Sequence, residues 1–359
     1  MKKLLVVAAL TMAAAPAMAS KARMTALGNS AHLIDTTTIF VNSADVHYLG
    51  DFATIEFGTA NNAAGTPHAE GGFVRSSSMG KWGAHLGRQS DTVNEFVTKT
   101  NAAIAPAELL KEQNALDLIY GTELGGQKWG FGLHYSNAKD EATTAMGNRK
   151  VSTLGGSFGV RNDIWNAYLR FGLTGKTESD LVAAGSPELE QKGLFDLGFG
   201  YWIDTLYVDA KFLTTKGTLS AGGTDTDIEK TQYSVGVTDN VKVDGGNFFY
   251  GARFANEEVK TGDSKRTVMG LPLLAGIEVD ATSWMVLRGS IKQTVLLGET
   301  KDDATGTDLK TNLLNDTTVA AGAGLKFGKL SLDGTLEGST TGKVNADTLL
   351  ANASLTYMF

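Results

Sequence analysis

The sequence contains no cysteine, few prolines and no long hydrophobic run after its first twenty residues. Five prolines and no cysteine occur among 359 residues, so disulfides, lipid-modified cysteine anchors and thiolate metal sites are excluded. A membrane-spanning helix needs roughly 20 apolar residues, and no later segment provides them. The formal net charge of −7 argues against a nucleic-acid partner, because phosphate recognition requires a basic face.

Patterns typical of catalysis and metal binding are also missing. Five histidines occur without metal-ligand spacing, and no His-Glu-x-x-His sequence is present. Paired acidic residues in predicted loops lack the glycine and distal glutamate of a calcium-binding loop. We therefore predict no catalytic residue, no bound metal and no cofactor, and we expect that the protein is not an enzyme.

The first twenty residues predict export from the cytoplasm. Two lysines precede an apolar stretch over residues 4–15, and Ala17-Met18-Ala19 forms a small-x-small cleavage site before Ser20. The apolar stretch is too short for a membrane-spanning helix. Residues 1–19 are therefore predicted to be a cleaved signal peptide. An exported chain without disulfides is either a soluble periplasmic protein or an outer-membrane barrel.

From about residue 115 onward, the chain repeats segments of alternating apolar and polar residues. Residues 129–135, 165–173, 206–212 and 319–327 all show large apolar side chains at every second position, which predicts strands with one apolar face. Many segments have the roughly 9–11 residues that a tilted strand needs to cross a bilayer. Aromatic residues occur near segment ends, as in the interfacial girdles of outer-membrane barrels.

The predicted connections alternate between short turns and long polar loops, which is typical of outer-membrane barrels. Short turns are predicted near 125–127, 161–163, 203–205, 280–282 and 328–329. Longer loops are predicted near 89–114, 138–148, 175–187, 217–227, 257–265, 298–313 and 339–345. The fold class is therefore all-β: an antiparallel up-and-down transmembrane barrel with short periplasmic turns and long extracellular loops.

Sixteen spans can be placed along the chain, and fourteen remain if the short first hairpin is omitted. The spans lie near 52–60, 71–78, 82–88, 115–124, 128–137, 149–160, 164–174, 188–202, 206–216, 228–238, 246–256, 266–279, 283–296, 315–327, 330–338 and 346–359. Pro272 lies within one of them and predicts a bulge or a missing ladder bond.

Glycine is abundant, with 43 residues, and many glycines fall on the predicted lumen face. Such positions often mark a bend or the close approach of another backbone. A plug against the wall and simple curvature of the barrel both remain possible. The positions are Gly130, Gly132, Gly155, Gly159, Gly172, Gly198, Gly236, Gly251, Gly270, Gly276, Gly322 and Gly324.

The last strand carries large apolar or aromatic residues at alternate positions and ends in phenylalanine. Leu355, Tyr357 and Phe359 resemble the insertion signal of bacterial outer-membrane barrels. The resemblance implies recognition by the barrel-assembly machinery, which pairs with a terminal strand by edge addition. The expected partners are therefore this machinery, periplasmic chaperones, outer-membrane lipid and lipopolysaccharide, and no nucleic acid.

Residues 20–51 precede the regular strands and have a different character. The stretches Ala26-Leu27-Gly28-Asn29-Ser30-Ala31, Asp35-Thr36-Thr37 and Phe40-Val41-Asn42-Ser43-Ala44 are similar to the opening of FadL-type barrels, with Ser43 in the place of a proline. The resemblance implies a hatch inside a fourteen-stranded barrel. Gly28, Asp35 and Asn42 are its candidate residues, and residues 52–359 form the barrel.

Charged residues on the predicted lumen face are candidates for lining a pore, because a charge facing lipid costs roughly 2–4 kcal/mol near the midplane. They are Asp117, His134, Arg170, Asp196, Asp209, Lys211, Lys230, Arg253, Glu278, Arg288, Lys292, Lys326 and Asp333. Loop 89–114 contains a predicted helix over 106–113 that either folds into the lumen or caps the rim.

Three functions fit this pattern. The leading hypothesis is a porin-like channel for passive diffusion of small polar solutes or ions, narrowed by a loop or a plug. The first alternative is a FadL-type transporter of hydrophobic compounds. The second is a structural or surface-recognition barrel. Substrate, selectivity and oligomeric state are not predicted.

Overall fold

A computed structural model describes residues 20–60, 67–101, 104, 108–141, 147–181, 185–302, 309–312, 317–339 and 352–359. The predicted signal peptide, residues 1–19, lies outside the described residues. Residues 346–351 of the last predicted span also lie outside them.

The described residues contain seventeen strands in one antiparallel sheet. The strands are β1 (Phe52–Ala60), β2 (Pro67–Ser77), β3 (Gly80–Leu86), β4 (Leu116–Leu124), β5 (Gln127–Glu141), β6 (Asn148–Arg161), β7 (Trp165–Ser179), β8 (Glu188–Ile203), β9 (Leu206–Ala221), β10 (Thr224–Val243), β11 (Gly246–Thr261), β12 (Ser264–Thr282), β13 (Met285–Asp302), β14 (Leu309–Asn312), β15 (Thr317–Phe327), β16 (Leu330–Ser339) and β17 (Asn352–Met358).

The sheet closes into a barrel whose wall is sixteen strands around. Each strand pairs with its neighbours in sequence, and β1 pairs with both β2 and β17. The short β14 pairs with one end of β13, and β15 pairs with the other end. The two strands therefore occupy a single position in the wall. The prediction of sixteen spans is confirmed. The count of fourteen, which the FadL resemblance favoured, is wrong, because the first hairpin is hydrogen-bonded into the wall on both sides.

The two faces of the wall differ in chemistry. Large apolar residues on the outer face are exposed, among them Leu133, Phe199 and Leu332. Exposed aromatic residues include Trp82, Tyr120, Tyr201, Trp284 and Tyr357. Polar and charged residues alternate with them and face the interior. A closed antiparallel barrel with an apolar exterior satisfies every backbone group within lipid. The protein is therefore a barrel of the bacterial outer membrane.

One rim carries short turns, including those at 125–126, 204–205, 283–284 and 328–329. A further short turn at 244–245 was not predicted. The C-terminus lies at this rim, since Phe359 N–H donates to Asp51 O at 3.0 Å. The side chains of Leu355, Tyr357 and Phe359 are exposed on the outer face.

Two of the predicted long loops are wrong. Strand pairing continues through 217–227 and 257–265 and ends in the two-residue turns Gly222-Gly223 and Gly262-Asp263. Cross-strand ion pairs such as Lys216–Glu229 (2.9 Å) lie along these extensions. A strand that extends beyond the bilayer can carry polar residues on both faces. Composition alone does not distinguish such a strand from a loop.

Pro272 lies in β12, and the pairing of β12 with β13 shifts register on both sides of Leu271, immediately before the proline. The predicted bulge is confirmed, because proline has no N–H to give to the ladder.

Two α-helices lie among the described residues, α1 (Lys21–Ala26) and α2 (Asp91–Asn101), with two 3-10 helices, Thr38–Phe40 and Ser43–Tyr48. No helix in the described part of the chain is long and apolar enough to cross a membrane. The helix predicted over 106–113 is wrong, because residues 108–113 are not helical. Asn101 instead bonds to both backbone groups of Leu109, at 2.7 and 2.9 Å.

Candidate functional site: the barrel lumen

Residues 20–51, called here the N-terminal segment, pack against the inner face of the wall at two places. Helix α1 contacts β13, β15, β16 and β17, and the 3-10 helix Ser43–Tyr48 contacts β4, β5 and β6. Ile39 and Val46 form a buried apolar cluster with Phe52, Val74 and Ile119 of the wall. The segment therefore joins two separate parts of the inner face.

Buried ion pairs hold α1 to the wall. Arg23 donates from Nε and Nη2 to both carboxylate oxygens of Glu278, at 2.8 and 2.9 Å. Its Nη1 also donates to Asp35 at 3.0 Å. Glu278 in turn accepts from Arg288 at 2.6 Å, and Arg288 donates to Asp333 at 2.5 Å. Removing one partner of such a buried network typically costs roughly 3–5 kcal/mol.

The second contact region centres on the 3-10 helix Ser43–Tyr48. The hydroxyls of Ser43 and Ser157 are 2.6 Å apart, and Asp45 pairs with Arg161 at 2.9 Å. The side chain of Asn42 caps this helix by accepting from Ala44 N–H at 3.1 Å.

Two of the predicted hatch residues occupy constrained positions. Asp35 is fully buried and bonds to Arg23 as described. Gly28 follows α1 with a φ of +65°, and its Cα faces Leu274 and Ser290 of the wall. A side chain there would be strained by the backbone and would also contact the wall.

The lumen-facing glycines divide into two groups. A Cβ at Gly130 would overlap the backbone of Ser43 and Ala44, and one at Gly322 would meet Ala26 at 2.7 Å. These positions accommodate the N-terminal segment. Gly198 and Gly276 instead lie beneath the rings of Tyr168 and Phe249 on neighbouring strands, an arrangement that helps to fix strand register. Close approach of another backbone is thus seen at Gly130, and the role of glycine in barrel curvature stays a prediction.

Burial changes the acidity of groups in the N-terminal segment. Burial raises the pKa of Asp35 to about 6, although Arg23 acts in the opposite direction. Burial also raises the pKa of Asp45, against the effect of Arg161. Burial lowers the pKa of His32 to about 3, and the nearby Arg23 lowers it further. As the pH falls, protonation of Asp35 therefore favours the buried state of the segment, whereas protonation of His32 disfavours it.

Residues 87–115 are called here the inward loop, and its described residues, 87–101, 104 and 108–115, also pack inside the barrel. Phe96 and Val97 of α2 form a buried cluster with Leu189, Leu219 and Ile228 of the wall. Lys230 bonds to Glu95 of the same helix at 2.8 and 2.9 Å. Helix α2 therefore packs against the inner side of the extended parts of β8, β9 and β10.

Glu112 anchors the other end of the inward loop. Its carboxylate is fully buried and accepts from Ser90 N–H and from the Thr153 hydroxyl, both at 2.5 Å. It also lies 3.1 Å from His134 Nε2, while Asp117 lies 2.9 Å from Nδ1 of the same ring. The His134 ring thus lies between Glu112 of the loop and Asp117 of the wall.

A cavity of about 110 Å³ lies between the N-terminal segment and the inward loop. The N-terminal segment contributes Ile39, Phe40 and Ser43, and the inward loop contributes Arg88, Gln89, Ser90, Val93 and Glu112. The wall contributes polar groups that include His134, Ser157, Arg170 and Gln191. Arg88 also lies 4.3 Å from the centre of the Phe40 ring, so the two inserted parts of the chain touch.

The charges predicted to line a pore lie on the inner side, and most are paired. Asp196 pairs with Arg170 and with Lys211 (3.5 Å), and Asp209 with Arg253 (2.7 Å). Lys326 pairs with Asp280 at 2.8 Å. Lys292 is partly buried on the same face. Arg288 is almost completely buried, whereas Arg170 lines the cavity.

Several charged residues at the site were not identified from the sequence. Arg23, Asp45 and Glu112 belong to irregular segments without strand periodicity, which removes the signal that assigned the wall residues to a face. Residues 155–159 also form a Gly-x-Ser-x-Gly string around Ser157. This string lies within β6, not at the strand-to-helix turn that a nucleophile elbow requires.

No protein-family model matches the chain, and no curated protein matches it in sequence. Solved outer-membrane structures resemble the fold at low identity. A deltaS2S3 mutant of TodX, a monoaromatic hydrocarbon channel, is 10% identical with a TM-score of 0.43, over 96% of this chain and 100% of that one. An OmpT loop L8 deletion mutant from Vibrio cholerae is 13% identical with a TM-score of 0.38, over 86% and 96%. CdiB from Acinetobacter baumannii is 8% identical with a TM-score of 0.47, over 86% of this chain and 59% of CdiB. Likeness at this level carries no inference about function.

Proposed function

We propose that this protein is an outer-membrane channel for small polar solutes, with a lumen narrowed by the N-terminal segment and the inward loop. A barrel of sixteen strands without inserted segments leaves an aqueous channel. The observation that supports narrowing is the cavity of about 110 Å³, to which both inserted segments contribute residues. A solute that crosses the lumen either fits this cavity or requires one segment to move.

Single-channel conductance of the refolded protein in a planar bilayer tests the proposal. We expect small or infrequent steps from the unmodified protein. Arg23→Gln removes the ion pairs to Glu278 and Asp35 and should give larger or more frequent openings. Arg253→Gln is the matched control, because Arg253 pairs with Asp209 of the wall and its loss leaves the N-terminal segment in place. Large, steady steps from all three proteins would contradict narrowing.

The second candidate is transport of small hydrophobic compounds. The apolar part of the cavity lining favours it, in particular Ile39, Phe40 and Phe171. Uptake into proteoliposomes separates the two candidates. Polar diffusion predicts entry of small sugars or amino acids at rates that fall with solute size. Entry of a small aromatic solute, with exclusion of sugars of similar size, would favour the hydrophobic alternative.

A further inference from the structure

The residue that follows the predicted cleavage site has a defined place in the lumen. Cleavage after Ala19 makes Ser20 the first residue of the mature chain. Ser20 is fully buried, and its hydroxyl accepts from Arg23 N–H at 3.0 Å. Its backbone N–H lies close enough to the carboxylate of Asp35 to lower the pKa of that group, and Arg23 Nη1 donates to the same carboxylate at 3.0 Å. The backbone nitrogen of Ser20 therefore already faces a buried acid.

The charged side chains around Ser20 are one positive charge short. Five carboxylates lie in this region, and four lysine or arginine side chains form ion pairs with four of them. The carboxylates are Asp35, Glu56, Glu70, Glu278 and Asp333, and the cations are Lys21, Arg23, Arg88 and Arg288. His85 lies near Glu70, and His32 lies near Arg23 with a pKa that burial lowers to about 3.

Glu56 is the acid that these four cations leave without an ion pair. Its side chain is almost completely buried. Among the residues that the structure describes, no lysine or arginine nitrogen lies within the 4.0 Å ion-pair distance of its carboxylate. It accepts a hydrogen bond from the backbone N–H of Lys21 at 3.2 Å. The backbone nitrogens of Ser20 and Lys21 thus face Asp35 and Glu56 in turn.

We propose that signal-peptide cleavage supplies the missing cation, and that the α-ammonium group of Ser20 is the buried counter-ion of Asp35 and Glu56. A signal peptidase hydrolyses the Ala19–Ser20 peptide bond. The C–N bond breaks, water provides the second carboxylate oxygen of Ala19, and the released amine takes up a proton. The uncharged peptide N–H with one donor becomes an ammonium group with three donors and one positive charge.

The consequence is that docking of the N-terminal segment is coupled to maturation. In the precursor, Asp35 and Glu56 face an amide. Asp35 then has only Arg23 as a charged partner, and burying Glu56 without an ion pair is costly. Burial raises the pKa of Asp35 to about 6 even with Arg23 beside it, so the side-chain partners alone do not offset this cost. In the mature chain the ammonium group completes the charge balance, and α1 is held against the wall.

Oxidation of the N-terminal serine by periodate tests where the amine lies. Periodate breaks the Cα–Cβ bond of an N-terminal serine only when it reaches both the amine and the adjacent hydroxyl; the chain end becomes a glyoxylyl group, formaldehyde and ammonia are released, and periodate is reduced to iodate. Protein purified from outer membranes should have an intact mass that begins at Ser20. Its oxidation should be slower than that of the unfolded chain by about tenfold or more, because the reaction requires local opening. A different first residue, or equal rates in the two states, would overturn the proposal.

The charge itself is tested by two refolded chains that both begin at Ser20, one with a free amine and one with an Nα-acetyl group. The acetyl amide mimics the uncleaved peptide bond. Hydrogen exchange over residues 20–51 should be faster in the acetylated chain by about tenfold or more, as expected for an uncompensated buried charge. Equal exchange in the two chains would overturn the proposal.

The variant Glu56→Gln identifies the partner of the amine. In the acetylated chain it removes the unpaired charge and should slow exchange over residues 20–51. In the free-amine chain it removes a partner and should speed exchange. Glu258→Gln, in a strand extension beyond the bilayer, is the control and should change neither chain. The same direction of change in both chains would exclude Glu56, and the periodate result stands even if this variant does not fold.

Discussion

At the scale of the residue, close packing between the N-terminal segment and the wall depends on positions without a side chain. Gly130 is the clearest case, because a Cβ there would overlap the backbone of Ser43 and Ala44. Gly130→Ala should displace the 3-10 helix Ser43–Tyr48 at a cost of roughly 1–3 kcal/mol. Hydrogen exchange over residues 20–51 should increase. Gly193→Ala is the matched control, since a Cβ there meets no atom within 4 Å. Unchanged exchange in Gly130→Ala would contradict this contact.

Acid should weaken docking of the N-terminal segment through His32. Its pKa falls from about 6.5 to about 3 on burial, so the contribution of the neutral ring is present above pH 6.5 and is lost as the pH falls. Asp35 has a pKa raised to about 6 and acts in the opposite sense between pH 6 and 3.8. Protection factors over residues 20–51, in which the intrinsic pH dependence of amide exchange is divided out, should therefore fall below pH 6.5, and less steeply below pH 6.

The variant His32→Asn isolates this effect. The amide oxygen can still accept from Ser30, whose hydroxyl lies 2.9 Å from Nδ1 of His32, but the side chain no longer titrates. In an Nα-acetylated chain without His32, docking should strengthen as the pH falls from 6 towards 4, because Asp35, whose pKa burial raises in that chain, becomes protonated in the docked state. If protection factors over residues 20–51 fall with acid in this variant as they do in the chain with His32, His32 is not the responsible group.

Strand periodicity predicted the face of each charged residue but not its partner. Arg170, Asp196 and Lys211 were assigned to the lumen from alternation alone, and the structure has all three on the inner side in one ion-paired group. Arg23 has no such signal, because it lies in a short helix and its partner Glu278 is 255 residues away. Pairing of this kind depends on how the segment docks, which alternation within a strand does not encode.

At the scale of the element, alternation and turn spacing were sufficient to predict the wall. Alternation reflects the two-residue period of a strand. The bilayer makes this period visible in the sequence, because it requires apolar side chains on the outer face. The extensions of β9 to β12 beyond the bilayer were predicted as loops, since their two faces are both polar. Helix α2 was also misplaced. Asn101 of that helix bonds to the backbone N–H and C=O of Leu109, and Asn94 accepts from the backbone N–H of Glu112. These bonds hold residues 109–112 in an extended conformation.

The inward loop should depend on the apolar face of α2. Phe96 is buried among Leu189, Leu219 and Ile228, and its truncation to alanine in a core typically costs roughly 3–5 kcal/mol. Phe96→Ala should speed hydrogen exchange over residues 91–101 and increase conductance. Phe199→Ala removes a ring that is exposed on the outer face and should change neither quantity. Unchanged exchange over residues 91–101 in Phe96→Ala would contradict the docking of this loop.

At the scale of the whole molecule, we propose that two parts of the chain packed on the inner side of the barrel narrow its lumen. One inserted part precedes the first strand and the other connects β3 to β4. They meet where Arg88 contacts the ring of Phe40. Release of either one enlarges the path, so conductance should respond to changes at either anchor. The hatch that the FadL resemblance implied remains a proposal about function, and the position of the N-terminal segment on the inner wall supports it.

The absence of cysteine allows a direct measurement of this central claim. The hydroxyls of Ser43 and Ser157 lie 2.6 Å apart, so Ser43→Cys with Ser157→Cys should form a disulfide that fixes the N-terminal segment to β6. We would measure the single-channel conductance of this double variant combined with Arg23→Gln, before and after reduction. We expect a low conductance in the oxidised state and a higher conductance after reduction, with a return to the low value on reoxidation. Equal conductance in the two states, with the disulfide shown to form, would contradict the claim that the N-terminal segment narrows the lumen.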